Sequence, residues 1–232
     1  MDNFIWRQPN CCKFIYNLQK RSNIKKTSCG TKSMKPKWWE SSKKYLSKKD
    51  RVMSRLIRSH KGHLTTRNNF FYSLSRSIVS QQISTAASDS VFSKFQKKCK
   101  GKINPKIVSK LPLGSLRKCG LSRQKALGIK SLAEKILDKS FDPKLIKKMN
   151  DEEAIIYLSS LRQIGRWSAE MALLFFFNRP NIWPVQDIGL LRAISINYKK
   201  KYLPPKSFVK KLQKKFSPYC SVATWYFWRS ID

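Results

Sequence analysis

The chain has 232 residues, of which 41% are hydrophobic and 12% aromatic, enough to bury a core in one large domain or two small lobes. Its 49 Lys and Arg residues against 13 Asp and Glu give a formal net charge of +36, which opposes compaction unless a polyanion neutralises it. Six cysteines without a C-x-x-C pair argue against a zinc or iron–sulfur site, and no apolar run approaches the ~18 residues of a membrane span.

Nucleic acid is the polyanion that this charge favours first, because Lys and Arg contacts to phosphates release counterions. The alternative is a compositional bias toward lysine, which would add charge everywhere without marking a site. We expect both to contribute.

Residues 1–33 show no sustained hydrophobic period, so we expect a basic extension that is disordered or weakly packed. Regular helical sequence begins at Met34 and continues through 34–232. Met34 is a candidate translation start, and a basic targeting leader is the alternative interpretation of 1–33. We expect a bacterial cytosol or nucleoid with reduced thiols, or an organelle or nucleus if 1–33 is a leader.

Helix signals follow one another along the chain. Asp50 is placed to cap the helix RVMSRLIRSH. Thr66 and Asn68 precede NFFYSLSRSIVSQ, whose apolar residues recur at helical spacing. Ser84 begins the next helix, TAASDSVFSKFQKK, which ends near Gly101.

The helical pattern continues to the end of the chain. Pro112 opens a short helix that Gly120 stops, and Ser122 caps RQKALGIKSLAEKILDK. Asp151 adds negative charge at the start of the following helix, and the apolar block MALLFFF at 171–177 is expected to be a buried helix. The expected apolar face of the helix after Ser122 comprises Leu127, Ile129, Leu132, Ile136 and Leu137. Because no segment alternates with hairpin turn signals, we predict an all-α orthogonal bundle of two helical lobes.

Asp187 is the most conspicuous residue, because no other acidic residue occurs between Glu170 and Asp232. It follows an apolar helix and a proline-containing loop, which suggests a negative charge placed for chemistry. The alternative is that Asp187 only caps the helix that begins at Ile188, where a carboxylate accepts N–H bonds and offsets the positive helix end.

Residues 161–174 predict a helix, a tight turn at Gly165 and a second helix. The N–H groups at the start of the second helix would point outward and can bind a DNA phosphate without a side-chain charge. Arg166 can add a charged contact. The alternative is an ordinary pair of helices in which Gly165 is only the turn residue.

Five segments occur in a fixed order: SIVSQQIS at 77–84, LSRQKALGIKSLA at 121–133, LRQIGRWSAEM at 161–171, PVQDIGLLRA at 184–193 and SPYCSVATWYFWRSID at 217–232. Together they resemble the helix-hairpin-helix DNA glycosylases, in particular the 3-methyladenine DNA glycosylase II branch. The resemblance extends over 34–232 and implies an active site in the cleft between two helical lobes. It implies a monofunctional enzyme of base excision repair that flips out alkylated purines and hydrolyses their N-glycosidic bond.

The resemblance assigns roles to single residues. Asp187 falls at the catalytic aspartate, and Gln82 falls where family members insert a wedge into the base stack. Trp167 falls where bifunctional relatives carry a catalytic lysine, so neither a Schiff base nor lyase activity is expected. Trp228 falls at an aromatic wall of the base pocket, to which Trp167 and Tyr226 would add ring faces for a cationic base.

The resemblance also implies how the DNA backbone is held. The phosphate-binding hairpin would comprise Gly165, Arg166, Trp167 and Ser168. A monovalent cation, Na⁺ or K⁺, would be shared with a DNA phosphate and bound by the backbone carbonyls of Ser159, Leu161 and Ile164. Bond cleavage itself needs no metal or organic cofactor.

Two residues depart from the family pattern. Gln163 replaces the first glycine of Gly-x-Gly, and if that position needs a positive φ the glutamine is strained by about 1 kcal/mol. Gln186 replaces the first member of an acidic pair, which leaves Asp187 unopposed by a like charge and therefore ionised. A structural role is favoured for Gln81, Trp183 and Trp225.

Two other functions remain open. The chain could remove another damaged base, such as a deaminated purine, or it could be a non-catalytic DNA-binding module that keeps the hairpin and the charge. Asp187 distinguishes an enzyme from such a module, because a protein that only binds DNA needs no carboxylate facing phosphates. In each case the expected partner is double-stranded DNA, and an enzyme would act on damaged DNA. No association with a membrane is expected, and the protein is expected to be a monomer.

Overall fold

The computed structural model describes residues 35–66 and 69–231 of the chain. The extension predicted for 1–33 lies outside the described residues, as does Asn68. Those predictions therefore stay predictions.

The described residues form twelve α-helices and a short 3₁₀ turn at Leu145–Lys148, with no β-strand among them, so the all-α prediction is confirmed for this part of the chain. The first six helices are α1 Trp39–Lys49, α2 Arg51–Ser59, α3 Phe70–Ser80, α4 Thr85–Lys98, α5 Pro105–Lys110 and α6 Leu113–Lys118. The other six are α7 Arg123–Leu137, α8 Asp151–Ser159, α9 Arg166–Phe175, α10 Ile188–Asn197, α11 Lys206–Phe216 and α12 Cys220–Arg229.

These helices form two compact units. One unit contains the described residues up to Thr65 together with those from Pro180 onward, and so holds α1, α2, α10, α11 and α12. The other unit is Thr66–Arg179, which holds α3 to α9. The first unit is therefore discontinuous in sequence, and the second is inserted into it.

Aromatic side chains fill the core of the discontinuous unit. Trp39 of α1 meets Trp225 edge-on, with ring centroids 5.3 Å apart, and stacks on Tyr226 at 6.0 Å. Phe216 of α11 lies 6.1 Å from Phe227. Pairs of this kind contribute roughly 0.5–1.5 kcal/mol each beyond burial. They fix α12 against α1 and α11.

In the inserted unit α7 packs against α3, α5 and α6, while α9 packs against α8 and α3. Two of the residues predicted for the apolar face of α7, Ile129 and Leu132, are buried, whereas Leu137 is 41% exposed. Small residues complete the buried face, among them Gly128. The buried face of α7 therefore includes small residues that were not predicted for it, and these let the backbone of neighbouring segments approach closely.

Side-chain caps determine where several helices begin. Asp50, Ser84 and Ser122 cap α2, α4 and α7 as predicted, each accepting a backbone N–H from the first turn. Asn69, the first residue of the segment that was predicted to be helical, is the N-cap of α3. The helix itself therefore begins one residue later, at Phe70. Local sequence therefore sets the starts of these helices almost to the residue.

The apolar block 171–177 is only partly helical. Residues 171–175 end α9 and are buried, whereas Phe176 and Phe177 follow the helix and pack on Phe70 with ring centroids 5.3 and 5.8 Å away. The chain turns there, with Asn178 in a left-handed backbone conformation of φ 57°. No described helix is long and apolar enough to cross a membrane.

Candidate functional site

Asp187 is the N-cap of α10, and only 2% of its surface is exposed. Its Oδ1 accepts the backbone N–H of Leu190 at 2.6 Å and the indole N–H of Trp228 at 2.8 Å. The capping role that the sequence offered as an alternative is therefore present, and such a cap stabilises by about 1 kcal/mol. The indole belongs to α12, however, so the carboxylate also joins two helices, and the two donors fix its orientation.

The three aromatic residues predicted for the base pocket differ in their surroundings. Trp228 hydrogen-bonds Asp187 and is 4% exposed. Tyr226 is 1% exposed and stacks on Trp39, and burial raises the pKa of its phenol to about 12. This packing favours a core role for Tyr226. Trp167 belongs to the inserted unit, in the first turn of α9, where it is half-buried.

Three residues for which the sequence favoured a structural role have one. Trp183 and Trp225 are each 4% exposed in the core. The side-chain Nε2 of Gln81 donates to the backbone carbonyl of Gln163 at 2.7 Å. The predicted bond from Gln81 to backbone is therefore confirmed, and its acceptor belongs to a distant turn.

Residues 160–165, the hairpin turn, connect α8 to α9. The N–H of Ile164 donates to the carbonyl of Leu161 at 3.0 Å and closes the turn. Gln163 has a left-handed backbone with φ 68°, so the strain expected for a non-glycine residue, about 1 kcal/mol, applies here. Gly165, the last residue of the turn, has φ −89° and ψ 177°, a conformation open to any residue, so the turn does not require glycine there.

The first turn of α9 has no side-chain cap from its N-cap residue, Gly165. A Cβ on Gly165 would have no atom within 4 Å among the described residues. The first intrahelical bond runs from the N–H of Ala169 to the carbonyl of Gly165 at 3.0 Å. The backbone N–H groups of Arg166, Trp167 and Ser168 come before that bond, at the positive end of the helix.

Arg166 is already bound by carboxylates. Its Nη1 and Nη2 each donate to an oxygen of Glu152 at 2.7 Å, and its Nε lies 3.3 Å from an oxygen of Glu170. The hydrogen bond from Arg166 lowers the pKa of Glu152, and the same bond raises the pKa of Arg166. Because Glu152 occupies one edge of the guanidinium, a phosphate that pairs with the same edge has to displace it.

The residues predicted to hold a monovalent cation surround the same turn. Ser159 is the last residue of α8, and its hydroxyl is buried with no hydrogen-bond partner among the described residues. The carbonyl of Leu161 accepts one N–H and keeps a second lone pair. Carbonyl oxygen atoms suit a hard cation, so the carbonyl of Leu161 fits such an ion, while the carbonyls of Ser159 and Ile164 stay a prediction. The described residues contain no cluster of His, Cys, Asp and Glu that could hold a metal.

Residues 81–83, the wedge turn, follow α3. Gln82 is exposed there with φ 56°, a conformation that is uncommon for a residue other than glycine. Lys125 of α7 donates from Nζ to the carbonyls of Val79 at 2.9 Å and Gln81 at 2.5 Å, and burial lowers its pKa. No sequence pattern indicates this role of Lys125, because its acceptors are backbone atoms at the end of a distant helix.

Residues 75–218 match the family model of the HhH-GPD superfamily base excision DNA repair proteins. This stretch is more than half of the chain, and it includes the wedge turn, the hairpin turn and Asp187. The chain belongs to the HhH-GPD superfamily. The resemblance read from its five ordered segments is thereby confirmed at the level of the family.

Two curated relatives from Schizosaccharomyces pombe are similar in sequence to this chain. This HhH-GPD chain is 33% identical over 158 residues to alkylbase DNA glycosidase-like protein mag2, covering 66% of this chain and 74% of the relative. It is 28% identical over 160 residues to DNA-3-methyladenine glycosylase 1, covering 68% of this chain and 70% of the relative.

Solved structures of the superfamily have the same fold. The 3-methyladenine DNA glycosylase Mag1 of Schizosaccharomyces pombe, in complex with abasic DNA, matches with a TM-score of 0.70 and 26% identity, over 82% of this chain and 96% of that one. The DNA-3-methyladenine glycosidase of Bacillus halodurans matches with a TM-score of 0.74 and 26% identity, over 82% and 88%. The arrangement of helices is therefore that of HhH-GPD glycosylases.

Proposed function

We propose that the protein is a DNA glycosylase of base excision repair that hydrolyses the N-glycosidic bond of alkylated, 3-methyladenine-type purines in double-stranded DNA. Membership of the HhH-GPD superfamily and the names of the two fission-yeast relatives support the reaction and the class of substrate. The excess of basic residues supports the partner, because neutralising phosphates releases counterions.

The observation that carries the proposal is the buried carboxylate of Asp187. An asparagine or serine would cap α10 equally well, so capping alone does not explain a charge that is 2% exposed. Burying a carboxylate has a desolvation cost that a merely structural residue would avoid. A fixed negative charge in a dry environment stabilises positive charge strongly, and the sugar gains oxocarbenium character as the C1′–N bond breaks.

A base inside the duplex must first be extruded, at a cost of a few kcal/mol. Gln82 supports this step, because it is exposed on a turn whose backbone conformation is fixed by neighbouring residues. The start of α9 supports binding of the DNA backbone, since N–H groups at the positive end of a helix bind phosphate. Both features belong to the inserted unit.

Alkylation at a purine nitrogen makes the base cationic and therefore a good leaving group. Trp228 remains the proposed aromatic wall, and it also orients the carboxylate through its indole N–H. Attraction between a cation and an aromatic face contributes about 0.5–2 kcal/mol. Tyr226 has a weaker claim, because its ring is packed in the core.

Two accessory features complete the proposal. The carbonyls of Ser159, Leu161 and Ile164 would hold a monovalent cation, which when bound supplies positive charge to a DNA phosphate. Because Trp167 occupies the position of the catalytic lysine, water rather than an amine attacks the sugar, and the enzyme has no lyase activity. The enzyme acts as a monomer in the cytosol or nucleoid, or in an organelle or nucleus if 1–33 is a leader.

Release of bases from methylated duplex DNA by the purified full chain tests the proposal. We expect free 3-methyladenine, no strand cleavage before alkali, and no covalent adduct after borohydride. Release from a duplex containing hypoxanthine, with none from methylated DNA, would replace the substrate by a deaminated purine. Tight DNA binding without release of either base would make the chain a non-catalytic binding module.

A further inference from the structure

One network of hydrogen bonds joins the wedge turn to the hairpin turn within the inserted unit. The carboxamide Nε2 of Gln81 donates to the carbonyl of Gln163 at 2.7 Å and lies 3.4 Å from the hydroxyl of Ser168. Gln163 is the left-handed residue of the hairpin turn, and Ser168 is in the first turn of α9. A single side chain next to Gln82 therefore contacts both parts of the phosphate-binding element.

The same residue is held from its other side. Lys125 donates to the carbonyls of Val79 and Gln81, at 2.9 and 2.5 Å, where α3 has ended and its last carbonyls lack helical partners. Gln81 is thus fixed at its main chain by α7 and at its side chain by the hairpin turn. Gln82 follows directly, exposed and with φ 56°.

A left-handed backbone at a non-glycine residue persists only where neighbouring structure holds it. The bonds of Gln81 are the contacts that connect this conformation to the hairpin turn. If the hairpin shifts when phosphate binds, the carbonyl of Gln163 moves, and the carboxamide of Gln81 moves with it.

We propose that Gln81 is a positioning residue that couples phosphate binding at the hairpin turn to insertion of Gln82 into the base stack. This inference rests on the proposed function, since it concerns extrusion of the base by the same site. Gln81 does not touch the reacting atoms. It acts through Gln82 by holding the wedge turn in a fixed position relative to the DNA backbone that the hairpin turn binds.

Gln81→Met tests the coupling, because methionine has a similar length but cannot donate to the Gln163 carbonyl. In the full chain, single-turnover release from a well-paired lesion should fall about five- to tenfold, the size of one lost hydrogen bond. Release from the same lesion opposite a mismatch should change less than about twofold, because extrusion is easier there. Gln96→Met on α4 is the matched control, and it should leave both rates unchanged.

The fluorescence of 2-aminopurine beside an uncleavable lesion analogue measures extrusion without chemistry. Gln81→Met should reduce the fluorescence gain, while Gln96→Met should not. This readout keeps the two claims apart: if wild type extrudes the base but releases none, the proposed function fails while the coupling is still measured. An unchanged fluorescence gain in Gln81→Met overturns the coupling.

A double-mutant cycle separates positioning from general stability. In the Gln82→Ala background Gln81→Met should cause no further loss of release, because the residue through which it acts is gone. Losses that multiply in the double variant would overturn the proposal and make Gln81 merely structural. If Gln81→Met unfolds more than about 4 °C below wild type, Gln81→Asn, which keeps the amide on a shorter stem, replaces it in the same cycle.

Discussion

Gln163 lies across Gly128, so that a Cβ built on Gly128 would come within 2.8 Å of Cγ and 3.0 Å of Cβ of the glutamine. Gly128 is buried in α7, and Gln163 has φ 68° in the hairpin turn. The missing side chain on α7 provides the space that the glutamine occupies. Packing on α7 therefore offsets part of the strain of a non-glycine residue at this position.

Gly128→Ala should destabilise the protein, although Gly to Ala inside a helix ordinarily stabilises by up to ~1 kcal/mol. The added methyl meets Gln163, and overpacking of this kind costs about 1–3 kcal/mol. Gln163→Gly removes that side chain, so the double variant should be less destabilised than Gly128→Ala alone. The carbonyl of Arg162, 3.2 Å from the built Cβ, leaves some residual cost.

Denaturant unfolding of wild type, both single variants and the double variant measures the coupling. We expect an interaction free energy of at least ~1 kcal/mol between the two positions. Strictly additive changes would mean that the contact between Gly128 and Gln163 carries no energy.

Local signals in the sequence predict the helices well. Asp50, Ser84 and Ser122 are caps whose partners lie within one turn, so the sequence specifies them without knowledge of the fold. The contacts of Gln163 with Gly128 and of Lys125 with Gln81 join distant segments, and no periodicity indicates them. The left-handed backbone at Gln163 is likewise suggested only by the family pattern and by no local signal.

Asp187 shows that a capping role does not exclude a catalytic one. The sequence offered a cap or a catalytic carboxylate, and the structure has the cap together with a bond from Trp228. The second donor lies on a helix far along the chain, so the sequence could not reveal it. The sequence pattern therefore singled out Asp187, whereas its burial and its bond from Trp228 are seen only in the folded structure.

Asp187→Asn should abolish base release while leaving the fold intact. The asparagine oxygen can still accept from Leu190 and Trp228, so the cap of α10 and the bond to α12 are kept while the negative charge is lost. Loss of one stabilising electrostatic group typically lowers the rate by about 10²–10³. Affinity for duplex containing an abasic-site analogue should stay within about threefold, because removing a negative charge does not weaken phosphate contacts.

Single-turnover release and equilibrium binding measure the two effects of Asp187→Asn separately. Asp138→Asn at the C-terminal end of α7 is the matched control, and it should release base at the wild-type rate. Near-normal release by Asp187→Asn would reject the catalytic assignment and leave only the cap.

Gly165→Ala should weaken DNA binding and lower the stability of the fold by no more than about 1 kcal/mol, the cost of a poorer N-cap. Its backbone conformation suits any residue, and a Cβ there would meet no atom within 4 Å among the described residues. The methyl would instead stand at the start of α9, where the proposed phosphate approaches the N–H groups. We expect about a fivefold to tenfold loss of affinity, as for one weakened charge-assisted hydrogen bond.

Gly114→Ala on α6 is the control for Gly165→Ala, since its Cβ also meets no atom within 4 Å in the described residues. Fluorescence anisotropy with a labelled duplex compares the two variants at one salt concentration. Equal affinities for the two variants would place the bound phosphate away from the start of α9.

Glu152→Gln should strengthen DNA binding, because an uncharged amide with one acceptor oxygen holds Arg166 less tightly than the bidentate carboxylate. Little stability should be lost, since the Glu152 side chain is 58% exposed and exposed ion pairs contribute only about 0–1 kcal/mol. If the freed guanidinium binds a phosphate, the plot of log affinity against log salt should become steeper by about one unit.

Titration of the duplex over a range of salt concentrations measures that slope for wild type and Glu152→Gln. The same change in an Arg166→Ala background separates release of the arginine from simple loss of a negative charge. An equal gain of affinity in both backgrounds would show that Glu152 acts by long-range repulsion and not through Arg166.

Gln82→Ala should slow base release most where extrusion is most costly. The glutamine side chain can fill the gap left by the flipped nucleotide and hydrogen-bond the orphaned base, and alanine can do neither. Single-turnover release should therefore fall about tenfold or more from a well-paired lesion and less than about threefold from a mispaired one, because extrusion costs less there. Gln96→Ala serves as the matched control on both substrates. An equal loss on the two substrates would assign Gln82 a structural role in its left-handed turn and reject the wedge.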